Sequence, residues 1–298
     1  MVYGGDSMIK CIVCDLDGTL IRHDDTFEDK TLKLLKECMN NGVEFIIATG
    51  RDIHMVRRLM REYEIDCDLI LNNGTQYRNL EGSFNEIHPM NDESFIKVAS
   101  ILKKYNYLLA IHTNQGKYSF HDKEEFWDYH LKLLNSLHKY SGKEEELPDK
   151  TFTTRAYLED LHYAIAPIDV LNDGAKVLKI DARHLELSSI EGVKKLLEDD
   201  YLDISSSYDD NIEITTKEYN KGIMLKKVIK EKGYKEDEVA TFGDGLNDVD
   251  MLESFKYSFA PFNAGEAAKK AAKYNLTLTV DDGAVGEGIE LLRQMHLL

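Results

Sequence analysis

The chain has 298 residues, a net charge of −17 and 43% hydrophobic residues. That length suggests one large domain or two moderate ones with a real core, and the negative balance argues against a nucleic-acid or anionic-membrane surface. No apolar run reaches the length of a membrane span, and the N-terminus lacks the plan of a signal peptide. Residues 1–7 read as an unstructured extension. Cys11 and Cys14 mimic a redox CxxC, but on a strand they face opposite ways and read as core packing; with Cys38 and Cys67 they make a reduced, cytoplasmic usage.

Residues 9–14 form a short apolar run, a buried strand by pattern, ending in Asp15 and Asp17 on one face. Like charges there repel, and a divalent cation or a held proton would resolve the conflict. Gly18 lets the chain turn out of the sheet. Residues 29–40 have helical spacing with Gly42 at the exit, and 43–48 form a second buried strand ending in Thr49-Gly50-Arg51. A helix over 53–63 precedes a third strand, 68–71, which runs into Asn72-Asn73-Gly74. Strands alternating with helices imply a parallel sheet covered on both faces, with ligands outside the carboxyl ends of the strands.

The texture changes from Gln76. A hairpin over 76–89 leads to a helix over 92–105, strands over 107–120, a helix over 124–138 and a solvated loop over 141–150. Strands follow at 163–170 and 176–180, then a helix over 190–199 and extended chain over 202–214. This reads as an α+β module, residues 83–211, inserted into a core of residues 8–82 and 212–298. The parallel pattern resumes with a helix over 221–231 and a strand over 239–242 ending in Gly243-Asp244-Gly245-Leu246-Asn247-Asp248. A strand at 258–260, a helix at 265–273, a short strand at 276–279 and a helix at 285–293 complete it.

Asp15 with Asp17, Thr49, Lys221, and Asp244 with Asp248 thus stand at four element ends. The set resembles the haloacid dehalogenase superfamily of aspartate-nucleophile phosphotransferases. The matching residues are Asp15-Leu16-Asp17-Gly18-Thr19-Leu20, Thr49-Gly50-Arg51, Lys221-Gly222 and Gly243-Asp244-Gly245-Leu246-Asn247-Asp248, in that order. The long insertion between the second and third motifs is similar to that of the Cof-type branch. The resemblance covers nearly all of 9–75 and 212–293, and implies a Rossmann-like doubly wound parallel sheet core with an inserted α+β cap domain.

It further implies a Mg²⁺-dependent phosphatase for small phosphorylated metabolites such as sugar phosphates. Asp15 would be the nucleophile, forming an aspartyl-phosphate. Asp17 would protonate the leaving oxygen and later take a proton from water, which requires its environment to raise the ordinary value of about 3.9. Magnesium would sit between Asp15, the Asp17 carbonyl and Asp244, steadied by Asp248. Lys221 would supply local positive charge, while Thr49, the Gly50 amide and Asn247 would donate to the phosphoryl group. Arg51 and Asn73 are candidate substrate contacts. A large cap closing over the site would exclude phosphoprotein, and a monomer or small homo-oligomer is expected.

Blander readings stand beside these. Thr49 suits a helix N-cap, Asp248 a helix N-terminus, Arg51 a loop brace and Lys221 a solvated surface. Lys217 is a rival to Lys221, but only Lys221 precedes a glycine as the motif asks. Trp127 reads as cap core, and the histidines show no metal spacing. Phe262 stands before Asn263-Ala264 where the family usually has a small residue, which leaves the role of Asn263 open. A phosphotransferase or mutase, and a phospho-metabolite-binding regulatory protein on a degenerate site, are the competing functions.

Overall fold

The computed structural model describes residues 7–138, 147, 150–206 and 211–298. They fall into two compact units, one of Met1–Arg51, Leu59–Glu86 and Asn220–Leu298, the other of Asp52–Arg58 and Ile87–Tyr219. In the first, β1 (Cys11–Cys14) has no polar side chain and is wholly buried, as a central parallel strand must be. α1 (Asp29–Asn40) starts where Glu28 accepts the N–H groups of Lys30 and Thr31, and it buries Leu34, Leu35 and Cys38. Then come β2 (Glu44–Ala48), α2 (Ile53–Glu62), whose residues up to Arg58 belong to the second unit, β3 (Asp68–Leu71), β4 (Gln76–Arg78) and β5 (Asn85–Ile87).

The second unit is built from α3 (Asp92–Lys104), β6 (Leu108–Thr113), β7 (Gly116–Ser119), α4 (Lys123–His138), β8 (Leu161–Tyr163) and α5 (Pro167–Asn172). It continues with β9 (Val177–Arg183), α6 (Leu187–Lys194), β10 (Leu202–Ser205) and β11 (Asn211–Thr216). Its six-stranded sheet has the order β10-β11-β9-β6-β7-β8 and is antiparallel except between β7 and β8. Leu109, Ile111, Ile180, Ile212 and Ile214 pack with Phe95, Val98 and Leu102 of α3 in its main core. Trp127 is buried in a smaller cluster with Phe126, Leu133 and Tyr157. Because β11 pairs with β9 and β10, the chain returns to the first unit at Asn220, later than the expected 212.

The first unit then resumes with α7 (Lys221–Glu231), β12 (Val239–Phe242), α8 (Val249–Ser254), β13 (Tyr257–Ala260), α9 (Glu266–Ala271), β14 (Tyr274–Asn275) and α10 (Ala284–Gln294). The sheet order is β14-β13-β12-β1-β2-β3-β4-β5. The pairs among β14, β13, β12, β1, β2 and β3 are parallel, and β4 is antiparallel to β3.

Several expectations need correction. The strand expected over 163–170 is a strand end followed by a helix. Pro167 opens α5, where its missing N–H costs nothing, and Asp169 accepts the Ala166 N–H at 2.8 Å. The helix expected at 190–199 runs from Leu187 to Lys194. The strand expected at 276–279 does not form: the Glu287 carboxylate takes the N–H groups of Thr277 and Leu278, each at 2.9 Å, and pairing ends with β14. Most of the expected 141–150 loop, and residues 207–210, lie outside the described residues. All four cysteines are free and buried. Among the described residues no helix is long and apolar enough to cross a membrane.

Candidate active site

Since β1, β2, β3 and β12 run parallel, their carboxyl ends open along one edge of the sheet. Asp15 follows β1 there, buried, and Asp244 and Asp248 stand in the loop after β12. Lys221, the first residue of α7, is entirely buried. Its Nζ donates to Asp15 Oδ1 at 2.6 Å and to Asp248 Oδ1 at 2.7 Å. An ammonium goes inside only with such partners, so the solvated-surface reading fails for this lysine. Gly222 has a steric reason to follow it: a Cβ there would lie 2.7 Å from the Asp250 backbone of α8. Lys217 belongs to the other unit and donates to the Asp199 carbonyl.

The loop after β12 is folded by Asp248. Its Oδ2 accepts the N–H groups of Asp244 and Gly245, at 3.0 and 2.9 Å. The Thr19 hydroxyl donates to Asp244 Oδ1 at 2.8 Å. Gly18, with φ +81°, lies so close that a Cβ would sit 2.5 Å from Asp244 Oδ2, so both conformation and space demand glycine.

Asp15, Asp244 and Asp248 each offer a carboxylate oxygen, all within 4.8 Å of one another. Burial pushes the Asp15 carboxyl well above its usual range; Lys221 opposes this, while Asp248, Asp244 and Asp17 add to it. Burial and the Asp248 charge push Asp244 up to about 7 against the Thr19 hydrogen bond and Lys221. Burial alone would lower Lys221, but Asp15 and Asp248 hold it above its ordinary value, and it stays charged. Three acids facing one ammonium leave a deficit of positive charge, and their hard oxygen donors suit a divalent cation such as magnesium.

The Asp17 carboxylate turns elsewhere. Arg51 grips it from Nε to Oδ2 at 2.9 Å and from Nη2 to Oδ1 at 2.6 Å, and Nη2 also reaches Asp25 Oδ1 at 2.6 Å. Arg51 is 5% exposed, and its buried Nη1 has no hydrogen-bond partner among the described residues. The clustered carboxylates therefore do not include that of Asp17, whose expected ligand atom is its carbonyl oxygen.

Thr49 is fully buried; its hydroxyl accepts the Arg51 N–H at 3.1 Å and its carbonyl accepts the Asn73 N–H at 3.1 Å. Gly50, half-buried, lies between Thr49 and Arg51 in that turn. Asn73 adopts a left-handed conformation, φ +58°, and its Oδ1 accepts from Asn247 Nδ2 at 3.1 Å. Sequence reasoning did not single out Thr19 or Asp25. Thr19 had one signal, its place beside Gly18. Asp25 had none that separates it from Asp24.

The profile of the haloacid dehalogenase-like hydrolases matches residues 12–289. Phosphatase YwpJ of Bacillus subtilis is 27% identical over 286 residues, covering 93% of this chain and 97% of that protein. The 5-amino-6-(5-phospho-D-ribitylamino)uracil phosphatase YcsE of the same organism is 25% identical, covering 93% and 94%. A solved haloacid dehalogenase-like hydrolase from B. subtilis superposes with a TM-score of 0.81 at 24% identity, covering 95% of this chain and all of that one. Another from Bacteroides thetaiotaomicron gives 0.74 at 21% identity, covering 95% and 99%. These likenesses show a shared fold with a Rossmann-like α/β core. The chain belongs to the haloacid dehalogenase-like hydrolases, and both of the named relatives it resembles are phosphatases.

Proposed function

We propose that this enzyme is a Mg²⁺-dependent phosphatase that hydrolyses small phosphorylated metabolites through an aspartyl-phosphate. The observation that carries this reading is the convergence of Asp15, Asp244 and Asp248 around the buried Lys221. The names of relatives support a small substrate, a phosphoribitylamino-uracil in one and HMP-PP in another. Four free, buried cysteines are in keeping with a reducing compartment.

Asp15 attacks phosphorus, and the bond from phosphorus to the ester oxygen breaks. Asp17, released from the Arg51 fork, gives its proton to the departing oxygen. It then takes a proton from the water that attacks phosphorus and frees Asp15. Lys221 holds the attacking carboxylate in place and offsets charge on the phosphoryl oxygens. Thr49, the Gly50 amide and Asn247 donate to those oxygens, while Asn73 and Arg51 contact substrate. Magnesium, held by Asp15, the Asp17 carbonyl and Asp244 with Asp248 steadying them, would supply charge neutralisation when bound. The inserted part of the second unit, Ile87–Tyr219, acts as the cap that selects among substrates.

A panel of phosphorylated metabolites with Mg²⁺, assayed on wild type beside Asp15→Asn, tests the reading. Turnover of at least one ester by wild type and its loss in the variant are expected. A variant as fast as wild type would refute the nucleophile. No turnover of any ester would favour a binding protein.

A further inference from the structure

Asn263 stands outside the acid group, and the mechanism above gives it no task. Its side chain nevertheless ties two loops together. Nδ2 donates to the Gly18 carbonyl at 2.8 Å, and Oδ1 accepts the Val280 N–H at 2.8 Å. The turn that carries it is joined to Asp244 by the backbone, since the Gly265 N–H donates to the Asp244 carbonyl at 2.9 Å. That turn is closed by Ala264 N–H onto Pro261 at 3.0 Å.

We infer that Asn263 is a positioning residue for the acid group, fixing the Gly18–Thr19 peptide and through it the Thr19 hydroxyl that holds Asp244. A glycine peptide has wide rotational freedom and needs an external anchor to keep one orientation. The N–H of that peptide, on Thr19, meets the Leu16 carbonyl at a long 3.3 Å, so the carbonyl end, held by Asn263 at 2.8 Å, carries the firmer restraint. The chemistry of the two partners also selects the side chain. One is a carbonyl and the other an N–H, which asks for a donor and an acceptor a fixed distance apart, as in a primary amide. With both ends engaged, the Asn263 amide cannot flip. Asn263 is exposed, so each bond competes with water and adds little to global stability. Its effect should therefore appear in cation affinity.

The inference rests on the proposed magnesium site, and calorimetric titration of Mg²⁺ into the full chain keeps the two apart. Asn263→Ala should weaken Mg²⁺ binding about 10-fold or more, the scale for residues that orient metal ligands. The thermal midpoint of the metal-free protein should hardly move. Asn263→Ser, which stays polar but reaches neither partner, should do the same and serves if the alanine variant folds poorly. Thr19→Val should also weaken binding, and the double variant with Asn263→Ala should cost about as much as the worse single one, because both act through one peptide. Wild-type affinity in both Asn263 variants, or strictly additive losses in the pair, would overturn the inference while leaving the function intact. A wild-type protein that takes up no Mg²⁺ would overturn the function reading and this inference with it.

Discussion

In the first unit the buried Asp15 and Asp248 and the half-buried Asp244 cluster around one ammonium, whereas in the second unit Asp52 and Glu213 are buried against matching cations. There, Asp52 Oδ2 lies 3.1 Å from His112 Nδ1 and 3.4 Å from Lys117 Nζ. Lys117 also binds Asp160 and stands 4.6 Å from the centre of the Tyr157 ring, and Lys179 pairs with Glu213 at 2.8 Å. Burial alone would raise the Asp52 carboxyl, but the His112 hydrogen bond and the Lys117 charge hold it well below its usual range. Asp15, equally enclosed, moves the other way. Buried acid is therefore no mark of a site by itself. The mark is acid left without enough countercharge, which the fold tolerates where a cation or phosphoryl group supplies the rest.

The contrast can be broken by substitution. Asp15→Asn should cost at least ~10³-fold in kcat, the scale for loss of a nucleophile; steady-state kinetics on the best ester measures it. Lys221→Met removes the ammonium shared by Asp15 and Asp248 and should lower kcat by roughly 10²-fold, as for loss of a charge-stabilising donor. Lys117→Met in the second unit should instead destabilise by about 3–5 kcal/mol, because Asp52 and Asp160 lose a buried partner. Urea unfolding should report that loss, and calorimetry should find Mg²⁺ affinity unchanged. A Lys117 variant that folds normally but fails to bind Mg²⁺ would erase the distinction between the two networks.

Acid–base behaviour sharpens it further. Without metal, burial and the Asp248 charge push Asp244 up to about 7 in the folded protein, against 3.8 for the free side chain. The folded state thus holds this proton more tightly, and the stability it lends is complete below the unfolded value and lost as pH rises through about 7. Asp15 shifts in the same direction. Asp52 is depressed, so its contribution is present above 3.8 and disappears only as pH falls further. With a chelator present, the thermal midpoint should fall as pH rises from about 5 to about 7.5, and added Mg²⁺ should reverse that fall. A flat profile with chelator, or no response to Mg²⁺, would contradict the charge deficit.

What could be read before folding was what short-range chemistry encodes. β1 is an uninterrupted apolar run, and α7 begins where Asn220 accepts the Ile223 N–H, a cap visible in the residue itself. The candidate site residues were legible because each stands at the end of such an element. The Arg51 fork on Asp17 and Asp25 was not, since it joins residues far apart in the chain. The Asn263 bridge to Gly18 and Val280 was hidden for the same reason. At 163–170 an apolar run concealed the stop at Tyr163 and the helix that Pro167 opens, a place where tertiary context overrode periodicity. At 276–279 a side chain, Glu287, took the N–H groups that a strand would have used.

The most direct test of the central claim is to quench the enzyme with acid during turnover of its best substrate and map the phosphoryl group by mass spectrometry. The account predicts one phosphoryl group on Asp15 in wild type and none in Asp15→Asn. Turnover with no phosphoryl group on Asp15, or with one on another residue, would contradict it.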